Sequence, residues 1–495
     1  MIVLIESPYK AAPLQRVFRE IGFEAKIVST NGRLFDLPFD SFGITRDFKV
    51  SSLEPVNAEH FDAINPDLLN DSVIVCTDAD EEGDFIAWTI DLFRKDKKTF
   101  RSTFQEFTKE HIRASIDSAS IIPSQEPPSL ARRLFDRLVG YSSNDGMFLS
   151  RTAGALLGAA ASHQVPVEKT VQASIHPNGV TFNEEYLSGF GSGVHFEQPQ
   201  STQTLPNFAH CLHLAPEIGC TPKEMFDVLQ RLYAESDISY FRTESTALNQ
   251  TAQQTLDRLE FESGFLNLSR AKASPASMAH PGIYSTRYPD SQKDRATRGR
   301  RSTGLQDTLR ARVFNATVFA MSDPDGKSVL TAYEHGKAYK AAIGEARGDT
   351  YSYPMSRFSL DDDIVSGSPR RYPASQTFTL DKESSIALTL IRLGVSHPSS
   401  WVSLANRYAC FLTQKGTLSE RGAEFHQKHK RESPLLLESE ISLAIESTLL
   451  NPVLPVSDKL KKALALAEIP EKLFGSNLEP SQTPDPEATF TPRSP

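Results

Sequence analysis

The chain has 495 residues, room for three or four domains, and its 39% hydrophobic content with 30 Phe excludes global disorder. Its formal charge of −9, from 53 Lys/Arg against 62 Asp/Glu, excludes a surface coated in positive charge, so any nucleic-acid contact must use a local basic lining. No apolar run approaches the ~20 residues of a membrane span, the opening MIVLIESPYK lacks a leader's basic stretch, and four scattered cysteines without C-x-x-C argue against a zinc ribbon or disulfide framework. An intracellular, reducing setting is expected.

Residues 1–120 alternate strand and helix. Ile2–Ile5 is a short apolar run, Pro8 marks a helix start, and Leu14, Val17, Phe18 and Ile21 follow at helical spacing. Val73–Cys76 is a second buried-type run, then an acidic loop, then a helix carrying Phe85, Ile86, Ile90 and Phe93. That alternation predicts a parallel α/β sheet. Residues 121–128 (IIPSQEPP) read as a linker. A helical pattern runs from Leu130 to about Gln164, with Leu134, Leu138 and Tyr141 on one face. Residues 166–202 turn strand-like, helical character returns at Pro222–Ala234 and near 305–320, and 328–380 reads as β-hairpins. Helices are expected from about 382 to 470, and the Pro/Ser/Thr-rich tail from 475 is expected to be disordered.

Three segments could carry chemistry. In Val73-Ile-Val-Cys-Thr-Asp-Ala-Asp-Glu-Glu-Gly83, Asp78, Asp80 and Glu82 alternate after a strand end, hard oxygen donors of the kind Mg²⁺ takes. An acidic helix N-terminus explains the same residues equally well. In Leu4-Ile-Glu-Ser-Pro-Tyr-Lys10, Glu6 lies past the C-terminal end of the first strand, where open α/β sheets place ligands, and Lys10 follows four residues on. An ordinary surface pair has that spacing too. In Ser236-Asp-Ile-Ser-Tyr-Phe-Arg-Thr-Glu-Ser-Thr246, Tyr240 and Arg242 share one face of an extended stretch. A phenol with a pKa near 10 needs a cationic neighbour to serve as a nucleophile, which Arg242 could supply. A half-buried Tyr in an edge strand is the other reading, and spacing alone leaves both open.

Taken together, and in this order, these segments resemble the type IA DNA topoisomerases. Glu6-Ser-Pro-x-Lys10 resembles the family's first motif, and Asp78-x-Asp-x-Glu-Gly83 with Ile86-Ala-Trp88 its TOPRIM metal motif. FQEFTKEHI, with Phe107-Thr-Lys109, is similar to its "EIT" segment, and Ala131–Tyr141 to its ARR..DR..GY helix. Ile238–Thr246 resembles the nucleophile motif ITYMRTDST, and Ala279-His280 with Ile283 and Thr286 the AHEAIRPT segment. Leu393–Ser400 and Leu418–Gly422 are similar to LGIGRPST and LT..G, so the match runs discontinuously from residue 1 to about 430. There are departures. Glu81 stands where the family carries Arg, Arg33 (in NGRLFDLP) where it carries His in GHIRDLP, and His397 where it carries Arg in RPST. The segment LSAGRVQS is reduced to LSRTAGALLG, whose Arg is missing unless Arg151 substitutes. The extra charge of Glu81 is expected to strengthen attraction for a divalent cation and to repel DNA phosphates.

The resemblance implies a multidomain ring combining α/β, mainly helical and β-rich parts. These are a TOPRIM α/β domain (1–125), a helical DNA-binding domain (126–165 and 382–470), a β-rich arch (166–202 and 326–381) and a helical domain (203–325) carrying Tyr240. It implies an isomerase that cuts and rejoins one DNA strand through a 5′-phosphotyrosine, without ATP or zinc. Tyr240 would be the nucleophile, Arg242 would stabilise the phosphoryl charge, Lys10 would protonate the leaving 3′-oxygen beside Glu6, and Asp78, Asp80 and Glu82 would hold Mg²⁺. DNA would be met as a single strand at the break and as duplex in the ring cavity. Its contacts would be Arg33, Arg132, Arg133, Asp136, Arg137 and His280, and residues 287–312 add eight Lys/Arg against three Asp. No membrane partner is expected, and the setting would be cytoplasmic, associated with the nucleoid. A TOPRIM nuclease or primase-like enzyme that does not use Tyr240, or a degenerate, non-catalytic DNA-binding subunit, are the competing readings.

Overall fold

A computed structural model describes residues 1–141, 150–176, 179–182, 205–263, 281–287 and 375–469, apart from positions 40, 71, 96 and 124, with isolated positions between 305 and 317. His280, almost all of the basic stretch 287–312, most of 326–381 and the 475–495 tail lie outside the described residues. The chain divides into two units. The first comprises residues 1–104, 109–165 and 389–495, and the second 105–108 and 166–388.

The first unit begins as an α/β sheet. Its elements are β1 (Ile2–Ile5), α1 (Ala11–Ile21), β2 (Lys26–Ser29), β3 (Phe35–Asp36), β4 (Glu54–Pro55), α2 (Ala58–Leu68), β5 (Val73–Val75), α3 (Glu81–Arg94), β6 (Thr99–Arg101), α4 (Lys109–Asp117) and β7 (Ser120–Ile121). The sheet order is β2-β1-β5-β6-β7, parallel through β6, with β7 antiparallel at the edge. The fully apolar β1 and β5 are its central pair, as unbroken Val/Ile/Leu runs should be when both faces are covered. Pro8–Lys10 forms a 3₁₀ turn ahead of α1; Ser7 is its N-cap but makes no side-chain capping bond, and Pro8 opens the turn. The expected linker at 121–128 starts inside β7, where Ile122 turns into the core while Ile121 stays exposed.

The helical run expected from 130 to 164 is two helices, α5 (Pro128–Tyr141) and α6 (Arg151–Ala161). The Ala/Gly-rich α6 has a packing reason. A Cβ on Gly158 would sit 1.9 Å from the Leu437 carbonyl oxygen, so the turn Pro434–Leu437 lies directly against the helix backbone.

The second unit holds an antiparallel sheet made from distant segments, β8 (Glu168–His176), β9 (Gly179–Phe182) and β10 (Ser375–Thr379), in the order β10-β8-β9. Among its described residues are the helices α7 (Phe208–Ile218), α8 (Pro222–Ala234) and α9 (Gln250–Ser263). In α8, Thr221 and Glu224 form a capping box around Pro222, while Met225, Val228, Leu229 and Leu232 bury one face. The boundary between the units falls within α10 (Lys382–Leu393). The first unit then resumes with α11 (Pro398–Tyr408), α12 (Glu420–Glu432), α13 (Ser439–Leu449) and α14 (Val456–Leu466). Its core joins the sheet to these helices. Val73, Val75, Phe85, Ile86 and Ile90 share one apolar cluster with Leu134, Leu138, Ile445, Leu449 and Leu460. Among the described residues no helix is long and apolar enough to cross a membrane.

α7 starts on a titratable cap. Asn207 accepts from the His210 N–H, and His210 Nδ1 accepts from the Asn207 N–H at 3.0 Å. Burial, with Lys169 adding to it, pushes both His210 and His213 down to about 4 from an ordinary 6.5. The folded-state value lies below the unfolded one, so the stabilisation is complete above about pH 6.5 and is lost as pH falls toward 4. His210→Gln retains an acceptor at the cap and removes one proton site. In urea unfolding at pH 7, 6 and 5, this variant is expected to lose stability less steeply than wild type, by at most about 1.4 kcal/mol per pH unit for the one group removed.

Candidate active site

In the first unit the acidic loop grows directly out of β5. The Cys76 N–H still donates to the Leu4 carbonyl, and the chain then bends so that Asp80 becomes the N-cap of α3, its carboxylate accepting from the Gly83 N–H at 2.8 Å. The bend needs glycine at 83, where a Cβ would lie 1.9 Å from the Asp78 carbonyl oxygen. Thr77 Oγ1 closes the turn by donating to the Gly83 carbonyl. Arg101, at the end of β6, donates to the carbonyls of Thr77 and Asp78 at 2.8 and 2.7 Å and reaches Asp84 at 3.1 Å. Nothing in the sequence around Arg101 signals this support, because only the pairing of β5 with β6 brings it to the loop.

Glu6, Lys10 and Asp78 come together. Asp78 is 2% exposed and Lys10 3%; the Lys10 ammonium donates to Asp78 Oδ1, and Glu6 Oε2 accepts from the Asp78 N–H at 3.3 Å. Glu82 points elsewhere, pairing with Arg33 Nε at 2.7 Å. Asp78, Asp80 and Glu82 thus have the oxygen chemistry a divalent cation needs, but each serves a different partner, and among the described residues no three His, Cys, Asp or Glu gather as a metal-holding group. As arranged, the three carboxylates do not fit one Mg²⁺ ion.

Most of the arginines read as DNA contacts have protein partners. Arg133 binds Asp36 through Nε at 2.7 Å and through a second nitrogen, and Arg137 donates to the Pro38 and Leu37 carbonyls at 2.7 and 3.1 Å. Arg132 bridges Glu81 and Glu446. Glu446 in turn holds Arg151 at 2.6 Å, and Arg151, fully buried, also donates to the Val395 carbonyl at 2.7 Å and lies 3.9 Å from half-exposed Asp136. Glu81 is therefore the first link of a charge network that ties the start of α3 to α5, α13 and α6, and its carboxylate is paired with Arg132 while it still feels Asp80 beside it. Burial pushes its carboxyl up, while Arg132 beside it pulls the other way. Arg151 is spent on the same network. His397 caps α11, accepting from the Ser399 N–H.

In the second unit Tyr240 lies in an irregular extended stretch pinned from two sides. Ser239 and Tyr284 exchange hydrogen bonds, Ser239 N–H to the Tyr284 carbonyl and Tyr284 N–H to Ser239 Oγ, while the Tyr240 N–H donates to the Gln105 carbonyl at 2.7 Å. The Tyr240 side chain is 1% exposed, edge-on to Tyr233 at 5.6 Å, with the Arg242 guanidinium carbon 5.2 Å from its ring centroid. Two carboxylates brace this stretch and escaped the sequence reading. Asp237, buried, is clamped by Arg287 and by Arg310 Nε at 2.8 Å. Glu106, also buried, accepts from Thr108, Thr255 and the Tyr284 hydroxyl at 2.6–2.9 Å, an arrangement that with burial drives the Tyr284 phenol well above its usual range. The acid three residues before Tyr240 and the Glu of FQEFTKE were the available signals.

Residues 1–107 match the Toprim domain family. In sequence the chain is 33% identical over 175 residues to a plasmid DNA topoisomerase I of Xylella fastidiosa, 34% of this chain and 26% of that protein. It is 23% identical over 502 residues to DNA topoisomerase 1 of Zymomonas mobilis, 81% of this chain and 40% of that protein. The chain thus spans less than half the length of these curated relatives. In structure it is similar to full-length topoisomerase I of Thermotoga maritima, with a TM-score of 0.60 at 17% identity, covering 97% of this chain and 90% of the other. The fold is that of topoisomerase I with an N-terminal Toprim domain. The resemblance read from the motifs holds at that level, the level of the fold and of the N-terminal Toprim domain.

The Glu81 network makes a specific demand. Glu81→Arg sets two guanidiniums against each other beside buried Glu446, and breaking a buried pair of this kind costs about 3–5 kcal/mol. The variant is expected to melt well below wild type, and Glu81→Arg with Arg132→Glu to recover at least half the loss. Thermal unfolding of the four proteins of the cycle checks this. Simple additivity of the two changes would show that Glu81 and Arg132 are not coupled.

Proposed function

We propose that this protein is a type IA DNA topoisomerase that cuts one strand of DNA, passes DNA through the break and reseals it without ATP. Tyr240 is the nucleophile. Its oxygen forms a bond to a backbone phosphorus while the bond from that phosphorus to the 3′-oxygen breaks, leaving a 5′-phosphotyrosine and a 3′-hydroxyl. The phenolic proton is released, and the departing 3′-oxygen takes one up, for which Lys10, with Glu6 nearby in the same unit, is the proposed donor. Resealing reverses both transfers. Arg242 is proposed to bind the phosphoryl oxygens whose charge rises during transfer.

The observation that carries the reading is the Tyr240–Arg242 pair, a phenol with a guanidinium over its ring, on a stretch held by backbone bonds and two buried carboxylates. The guanidinium beside the ring is proposed to meet the phosphoryl oxygens of the strand that Tyr240 attacks. A Toprim domain implies Mg²⁺, but the three carboxylates as arranged do not form its site, and no step is assigned to the metal. The supercoil relaxed, any decatenation, and the choice between single-stranded and duplex contacts belong to the same proposal.

One observation favours a second reading, a DNA-binding subunit without strand cleavage: Asp78 and Glu82 are each engaged by a basic side chain. Trapping separates the two. Denaturing the protein on a labelled single-stranded oligonucleotide should leave it attached to the 5′ end of the downstream fragment, and Tyr240→Phe should abolish the adduct and reduce plasmid relaxation below about one-thousandth of wild type while single-strand binding stays within a few-fold. No adduct from the wild-type protein would select the binding subunit.

A further inference from the structure

The start of α7 is bonded into the stretch that carries Tyr240. The Leu205 N–H donates to the Thr246 carbonyl and the Phe208 N–H to the Thr243 carbonyl, both at 3.0 Å, so residues 205–208 run antiparallel beside 243–246. The Ile283 N–H donates to the Pro206 carbonyl at 2.7 Å, and a Cβ on Gly282 would lie 2.4 Å from the Leu205 Cβ, so a third segment closes on the same place. Rings follow the backbone. Phe208, the first residue of α7, meets Phe241 edge-on at 5.4 Å, and Phe226 of α8 meets Phe241 at 5.3 Å. Asn207 joins helix and stretch. Its Oδ1 accepts from the His210 N–H at 3.1 Å, while its Nδ2 donates across to the Glu244 carbonyl at 2.8 Å. Its own N–H is taken by His210 Nδ1 at 3.0 Å, and burial keeps that imidazole neutral at pH 7.5, its pKa pushed down to about 4. A helix cap needs only the bond to the His210 N–H; the one to Glu244 belongs to the chain two residues past Arg242.

We propose that Asn207 and His210 are positioning residues for strand cleavage: the Asn207 amide, itself fixed by His210, clasps the chain at Glu244 and so holds Arg242 against the Tyr240 ring. The proposal rests on the reading of Tyr240 as the nucleophile and adds what keeps its guanidinium partner in register. Residues 239–246 belong to no helix or strand, so their position depends on bonds from neighbouring segments. A misplacement of about 1 Å in a reacting geometry can cost about a hundred-fold in rate. A single amide that spans helix cap and reactive stretch is therefore a small device with a large effect on rate.

Serine caps a helix as well as asparagine but has no amide to donate, so Asn207→Ser keeps α7 and cuts the clasp. With the full chain in excess over a labelled single-stranded oligonucleotide at pH 7.5, Asn207→Ser is expected to form the covalent adduct about ten-fold more slowly than wild type. Its oligonucleotide affinity should stay within about two-fold and its melting temperature within about 2 °C. His210→Leu, which takes the acceptor from the Asn207 N–H, should lose a similar factor. His210→Gln, whose amide oxygen can accept there, should restore the rate to within about two-fold of wild type. In the free proteins, hydrogen exchange across residues 239–246 should be faster in Asn207→Ser than in wild type. Adduct formation by Asn207→Ser at the wild-type rate, a loss accounted for by weaker oligonucleotide binding, His210→Gln as slow as His210→Leu, or unchanged exchange would each overturn the proposal. Failure of the strand chemistry looks different. A wild-type protein that forms no adduct loses the nucleophile reading and the positioning role with it, and an active wild type matched by its variants loses the positioning role alone.

Discussion

Anions cannot be taken out of water bare, and the stretch from Asp78 to Glu82 packs four carboxylates into five residues at the end of a buried strand. Much of the first unit is arranged to meet that cost. Lys10 comes from the turn after β1, the Gly83 N–H from α3 itself, Arg33 from the loop after β2, and Arg132 from α5. Each neutralising group lies on a different element, so the acidic loop acts as the place where those elements are registered against one another. Arg101 fixes the loop's carbonyls in the same way from β6.

The same economy runs through the second unit with different residues. Asp237 and Glu106 are buried, and each is surrounded by donors from segments far apart in sequence, Arg287 and Arg310 for one, Thr255 and Tyr284 for the other. Such buried polar hubs are costly if a partner is lost and specific when complete. Here both brace the stretch that carries Tyr240, so the phenol's position depends on carboxylates that do not themselves face it as reactants.

Charge used inside is charge withheld from a ligand. Arg132, Arg133, Arg137 and Arg151 would make a strong phosphate track if free, yet each donates to a carboxylate or a carbonyl of the first unit. A net charge of −9 leaves little surplus of basic residues, and the stretch with the densest surplus, 287–312, is where the sequence places it. Electrostatic attraction to nucleic acid, on the proposed function, would then depend on a few local clusters and fall with salt.

Periodicity and local chemistry made much of the fold legible in the sequence. Unbroken apolar runs marked β1 and β5, the helical pattern over Pro222–Ala234 marked α8, and the order of motifs pointed to the fold. These signals are local, and a local signal survives translation into structure because it depends on neighbours within a turn or two. The break between α5 and α6, the pairing of segments near 170 and 376 into one sheet, and the partners of every charged residue were decided elsewhere. Glu81 shows the reason. As a string of letters it is one more acid beside Asp80 and Glu82, and sequence predicts repulsion of DNA. In the folded unit a residue 51 positions away and another 314 positions beyond that meet it, so Arg132 joins Glu81 to Glu446. Which cation a carboxylate meets is a fact of three-dimensional packing, and no spacing along the chain encodes it.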